Sequence, residues 1–252
     1  MIKIGCASYS YRDYLKDGRM SYEDFIEESY RLGLDGVELT TYWFPSDEPS
    51  YLRKLKHLAL RRGLPTSCVS IRTDFCNADA AQKELAIKNV EGGLTIAREL
   101  GAPCLRVFSG KASEGETEAE ATKRAVETLK LCAGYAGNKG VVMALENHHG
   151  ITARADNVIK IINDVGSPWL RVNLDLGNYY ESTYEEIAKT VPYTVNIHAK
   201  ISCAQNKVDY RRIKEILETG GYNGFLSIEH EEKEDQKIGV ARFAKFLLNL
   251  FR

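Results

Sequence analysis

No two of the six cysteines in this 252-residue chain stand at CxxC spacing, which argues against both a zinc knuckle and a dithiol redox motif. Cys6, Cys68, Cys76, Cys104, Cys132 and Cys203 lie mostly in or beside apolar runs, where a reduced thiol behaves as a small core residue. A reducing, cytoplasmic setting is therefore expected. The opening MIKIGCASYSYRDY passes straight into an apolar strand with no long hydrophobic leader, so secretion is not expected. No window approaches a bilayer-spanning length, and no membrane partner is expected. Lys/Arg runs are absent and the net charge is −1, so nucleic acid is not expected as a partner either. A glycine-rich phosphate turn is also missing. The first strand is followed by Ala7-Ser8-Tyr9-Ser10, which disfavours a doubly wound nucleotide-binding sheet.

What is present is an ordinary balance of 44% hydrophobic and 27% charged residues, which fits a globular domain and disfavours disorder or coiled coil. Strand-like and helix-like runs alternate along the chain at roughly the thirty-residue spacing of a βαβ unit. Strands read at Lys3 to Ser8, Gly36 to Tyr42, Ser67 to Arg72 and Cys104 to Phe108, with four more downstream. Capping patterns open several helices: Ser21 with Asp24, Asp79 with Gln82, Ser113 with Glu116, and Thr183 with Glu186. Gly33, Gly63, Gly101, Gly140, Gly166 and Gly220 fall where a left-handed helix terminus is needed just before a strand. Eight such units and no visible linker predict one (β/α)8 TIM barrel over residues 1–252.

The run VVMALENHHG, Val141 to Gly150, is apolar and then abruptly polar at Glu146. A carboxylate at the end of a buried strand is costly unless a metal ion or substrate compensates its desolvation. The pattern recurs in LRVNLDLGN with Asp175, VNIHAKI with His198 and FLSIEHE with Glu229. Four successive strands thus each deliver one ligand at the carboxyl end. Glu146, Asp175, His198 and Glu229 form a hard, oxygen-rich set suited to manganese, magnesium or cobalt, with zinc second.

Alternation along a strand puts His148 on the side of Glu146, Lys200 on that of His198 and Glu38 beside Thr40, with His149 outward. Tyr9, Trp43, Phe44 and His149 supply an aromatic and polar rim for a small polar ligand, though Trp43 and Phe44 could instead pack on a neighbouring subunit in a homo-oligomer. Arg72 and Arg106, near the ends of the third and fourth strands, could grip a phosphate or carboxylate; an inward arginine could equally neutralise Glu38. Lys200 could neutralise a developing oxyanion or pair with Glu229 or Glu231. His57 reads as a solvated helix residue and His230 as structural.

The segments ALENHHG, VNLDLGN, IHAK and GYNGFLSIEHE resemble the sugar phosphate isomerase/epimerase group with a xylose-isomerase-like barrel. That group also holds inosose dehydratases, hydroxypyruvate isomerases and metal-dependent apurinic endonucleases. The resemblance implies metal ligation by Glu146, Asp175, His198 and Glu229, with the two glutamates acting also as acid and base. The expected activity is isomerisation or epimerisation of a sugar or sugar phosphate, by proton transfer next to a carbonyl through a metal-stabilised enediolate. One alternative is a lyase or dehydratase on a keto-sugar or inosose; another is a non-catalytic sugar-binding barrel. The ketose epimerases often carry Asp-x-x-His on the sixth strand, whereas this chain has Asn178 after Asp175. Asn178 is expected among the substrate contacts with His148, Arg72, Arg106, Tyr9 and Trp43. Five histidines, none at the third strand, argue against the trinuclear zinc cluster of the endonuclease branch.

Overall fold

The structure, a computed structural model, describes residues 1–203 and 206–252. Eight parallel strands close on themselves: β1 (Lys3–Ala7), β2 (Gly36–Thr40), β3 (Thr66–Ser70), β4 (Cys104–Val107), β5 (Val142–Glu146), β6 (Leu170–Asp175), β7 (Thr194–Ala199) and β8 (Phe225–Ile228). Each pairs with its sequence neighbours, and β8 pairs back onto β1. Short α1 (Arg12–Lys16) follows β1, and α2 (Tyr22–Arg31), α3 (Pro49–Arg61), α4 (Ala80–Leu100), α5 (Glu118–Lys139), α6 (Ala155–Val165), α7 (Thr183–Thr190), α8 (Tyr210–Thr219) and α9 (Gln236–Phe251) surround the barrel. Past β7, Ser202–Cys203 and Asn206–Lys207 make a small antiparallel pair. None of the helices is long and apolar enough to cross a membrane among the described residues.

The strands can be apolar in succession because one face meets the helix ring and the other fills the barrel. The main core lies between the two layers, where Val158, Ile161, Ile162 and Val165 give α6 one buried stripe. Inside the barrel a separate cluster of Cys68, Cys104 and Ala144 packs with Val142 and Val195. Phe225 fills the amino-terminal end. A β-carbon on Gly36 would lie 2.5 Å from its ring and 2.8 Å from the Pro65 carbonyl oxygen, so only glycine fits there.

Several helix ends follow the sequence pattern. Ser21 and Asp24 form a reciprocal capping box, and Asp79 accepts from the Gln82 amide. Two starts differ. Ser113 and Glu116 do bond, but in the loop before the helix, which opens at Glu118 on a Thr117–Glu120 box. At α7 the cap position is Ser182, whose left-handed φ of 43° leaves no side-chain cap, while the Thr183 hydroxyl donates to the Tyr179 carbonyl. Gly220 is right-handed at φ −78°, and Gly221, at φ 71°, makes the reversal instead.

Two register shifts set the phase of the inner face. Between β6 and β7 the pairing steps from Val172–Thr194 to Asn173–Asn196, so Val195 is the extra residue. Beyond it Asp175 stands level with His198. A similar shift after Val37 sets Glu38 beside Cys68.

Candidate metal centre

At the carboxyl ends of the strands, Glu146, Asp175 and His198 each offer a ligand atom, all within 4.8 Å of one another. The imidazole is the hub. Its Nδ1 lies 3.4 Å from Glu146 Oε2, 3.5 Å from Glu229 Oε2 and 3.9 Å from Asp175 Oδ2. Ligands about 2.1 Å from one ion stand roughly 3 to 4 Å apart, so Glu146, Asp175 and His198 are spaced to share a cation, while Glu229 meets the histidine but lies outside this mutually close trio. His198 and Asp175 are fully buried, and Glu146 and Glu229 nearly so. Among the described residues Nδ1 of His198 has no hydrogen-bond partner, and Asp175 Oδ2 has only a misaligned ammonium contact. A buried carboxylate oxygen and a buried ring nitrogen, both unsatisfied and facing a common point, are what a cation that displaces the ring proton would satisfy. Three carboxylates and one imidazole fit a hard divalent ion.

The opposite edge of the His198 ring is committed elsewhere. Nε2 sits 2.7 Å from Glu38 Oε1, which also accepts from Ser70, while Glu38 Oε2 accepts from Asn196. Asn147 ties the neighbouring strands together, donating to the Asp175 carbonyl and accepting from the Asp175 amide. Asp175 Oδ1 is held by the Gly177 amide.

Crowded carboxylates in a dry interior disfavour one another's charge. Burial pushes Glu146 up to about 8 and Asp175 up to about 6, with Arg106 and Lys200 respectively opposing it most. For Glu229 burial acts upward too, yet the charges of His198 and Lys200 hold it well below the usual carboxylate range. Burial would lower His198, but Glu229 and Glu38 keep it well above an ordinary imidazole.

Lys200 packs its stem over Gly177, where a β-carbon would come within 2.7 Å of Cδ. Its ammonium lies 3.1 Å from Asp175, 3.4 Å from Glu229 and 2.8 Å from Glu231. The pairing that the sequence allowed with Glu229 or Glu231 therefore includes both, and Asp175 besides. Arg106 is buried against Glu146, with Nε 3.2 Å from Oε2, and donates to the Ile71 carbonyl and the Tyr42 hydroxyl. Its charge is matched by Glu146 rather than by Glu38.

The rim is aromatic. Tyr9 stacks on Trp43 with centroids 6.0 Å apart, and Tyr42 meets both edge-on. Arg72 is exposed and its guanidinium carbon lies over Tyr42, 4.1 Å from the ring centroid. Phe44 leaves the rim and packs against Tyr22 and Tyr51. His148 is half-buried over Phe108 and His149 is exposed. Burial first, then His149, lowers His148 to about 4. Asn178 is buried and donates to the Asn147 carbonyl. His57 is exposed, and His230 is enclosed against Gly239 of α9.

Sequence reasoning placed Glu38 inside the barrel without finding its partner. It missed Tyr42 as a site-supporting residue, and it put Asn173 and Asn196 on the inner face without giving them a role. The available signal was parity: Asn173 and Asn196 share the inner face with Asp175 and His198.

A closed eight-stranded parallel barrel with a ligand cluster at its carboxyl end defines the class of protein. The chain belongs to the xylose isomerase-like TIM barrel family, whose model matches residues 26–247. Among curated proteins none matches significantly. Similar solved structures include a D-psicose 3-epimerase from Clostridium cellulolyticum H10 crystallised with D-tagatose (18% identity, 98% of this chain and 97% of that one, TM-score 0.81). Another is the probable 3-DHS dehydratase AsbF from Bacillus anthracis (18%, 98% and 99%, TM-score 0.78). A third is the 3-keto-D-glucoside 4-epimerase YcjR from E. coli (12%, 99% and 99%, TM-score 0.80).

Proposed function

We propose that the protein is a divalent-metal-dependent enzyme that moves a proton on a carbon next to a carbonyl in a sugar-like substrate, as an isomerase or epimerase. The observation that carries this reading is the convergence of Glu146, Asp175 and Glu229 on His198 Nδ1 from separate strands. Glu146, Asp175, His198 and Glu229 would hold the ion, with manganese, magnesium or cobalt preferred. Such an ion supplies Lewis acidity toward a carbonyl oxygen and an adjacent hydroxyl.

Glu146 and Glu229 are the proton-transferring residues in this proposal. They come from β5 and from the end of β8, so they can address a substrate carbon from different directions. Removing a proton with one and returning it with the other inverts or relocates the C–H bond. Lys200 contributes a fixed positive charge where negative charge develops on oxygen. Tyr9, Trp43 and His148 form the wall against the substrate, Asn178 fixes the loop after β6, and exposed Arg72 meets the far end. Arg106 acts on the substrate only through Glu146. In ketose epimerases a histidine often stands at the Asn178 position; an amide cannot ferry a proton there, which leaves proton transfer to the two glutamates.

Lys200 also favours a second reading. A nearly buried ammonium beside Asp175 and Glu229 suits a lyase, in which the same deprotonation is followed by departure of a β-hydroxyl. The mass of the product separates the two, because elimination of water lowers it and isomerisation does not. The test of the shared step is exchange of the substrate α-proton with solvent deuterium, followed by NMR over a panel of ketoses, aldoses, inososes and 3-keto sugars with manganese. Glu146→Gln and Glu229→Gln are each expected to abolish exchange; its persistence in either refutes that residue's role. A protein that retains no stoichiometric divalent ion and exchanges no substrate would be a sugar-binding barrel instead.

A further inference from the structure

Among the described residues, one buried carboxylate in the barrel is neither a ligand candidate nor paired with an arginine or lysine. Glu38 is fully buried and makes three hydrogen-bond contacts, one directly to the ligand candidate His198 and one that leads on through Asn196 and Asn173 to Glu146. Its Oε1 accepts from Ser70 Oγ at 2.6 Å and faces His198 Nε2 at 2.7 Å. Its Oε2 accepts from Asn196 Nδ2 at 2.9 Å. Asn196 Nδ2 also donates to Asn173 Oδ1 at 2.7 Å, and Asn173 Nδ2 donates to Glu146 Oε2 at 3.2 Å.

The direction of this chain follows from chemistry. An ionised carboxylate only accepts, so Asn196 must present its amide nitrogen to Glu38, and His198 must carry its proton on Nε2. An ion that displaces the remaining ring proton would then meet the Nδ1 lone pair on the side of Glu146, Asp175 and Glu229. The same polarity passes along the belt: with its nitrogen spent, Asn196 fixes Asn173 to accept, and Asn173 in turn donates to Glu146.

We infer that Glu38 is the positioning residue of the metal centre, selecting Nδ1 of His198 as the ligating atom and, through Asn196 and Asn173, orienting Glu146. The inference rests on the metal-dependent reading of the site. Glu38 touches neither substrate nor ion. Its action is to remove rotational and tautomeric freedom from two ligands before the ion arrives, and loss of such a partner typically weakens metal binding about 10- to 100-fold.

The test uses the full chain with manganese and cobalt alone, so no substrate is needed. In wild type, cobalt is expected to give a hyperfine-shifted, slowly exchanging N–H proton resonance from His198, lost in Glu38→Ala. Manganese affinity in that variant is expected to fall about 10- to 100-fold. Glu38→Gln preserves size and can still accept from His198, but it turns a donor toward the Asn196 donor. It should keep the N–H resonance while manganese affinity still falls. If Glu38→Ala does not fold, as judged by its thermal melt, Glu38→Gln carries the test. Wild-type protein that takes up neither ion refutes the metal reading itself. Wild-type protein that binds both, with Glu38→Gln binding manganese equally well, overturns the role given to Glu38.

Discussion

Replacing Lys200 with methionine should change metal affinity and stability in opposite directions. The ammonium is 3.1 Å from Asp175 Oδ2 and 3.4 Å from Glu229 Oε2. An ion bound by those carboxylates at about 2.1 Å would lie roughly 4 to 5 Å from Nζ. Repulsion between a double and a single positive charge over that distance is about 2 kcal/mol even at the dielectric of water. Lys200→Met is therefore expected to bind manganese at least ~10-fold more tightly by titration calorimetry. In chelator the same substitution leaves Asp175, Glu229 and Glu231 without their shared cation. Breaking a buried ion pair costs about 3–5 kcal/mol. For a domain of this size that lowers the melting temperature by roughly 6 to 20 °C. Excess manganese should restore most of the loss. Unchanged or weaker manganese binding, or an equal fall in melting temperature with and without the ion, would refute the electrostatic reasoning.

Two further predictions concern the scaffold. Gly36→Ala forces a β-carbon against the Phe225 ring and the Pro65 carbonyl and should destabilise by about 1–3 kcal/mol. Gly92→Ala, mid-helix and facing open space, should stabilise by about 0.5–1 kcal/mol; thermal melts that rank the two variants the other way contradict the packing described. Burial pushes the Cys6, Cys76 and Cys132 thiols up to about 12, so iodoacetamide at pH 8 should leave them unmodified until guanidinium unfolds the chain. Mass spectrometry reads this directly, and labelling of any of the three in the native protein at the rate of a free thiol would contradict it.

By itself the sequence determined the alternation of helix and strand and the strand-end position of Glu146, Asp175, His198 and Glu229. Both are local properties: hydrophobic period, caps such as Ser21 with Asp24, and glycines such as Gly101 and Gly140 at left-handed helix ends. Parity along single strands was legible for the same reason, since adjacent side chains in a strand must alternate. The shift from Ser113 to Thr117 as the start of α5 was not, because both carry a glutamate three residues on, and packing against the barrel decides between equal caps. Only the tertiary structure brought Glu38 to His198 across 160 positions and chose Glu146 over Glu38 as the partner of Arg106. It also shared one lysine among three acids. Those pairings depend on register shifts at Val37 and Val172 and on barrel closure, which fix the relative phase of distant strands. Each strand's own pattern is blind to that phase, because a strand offset by one residue keeps its alternation while facing every side chain the other way.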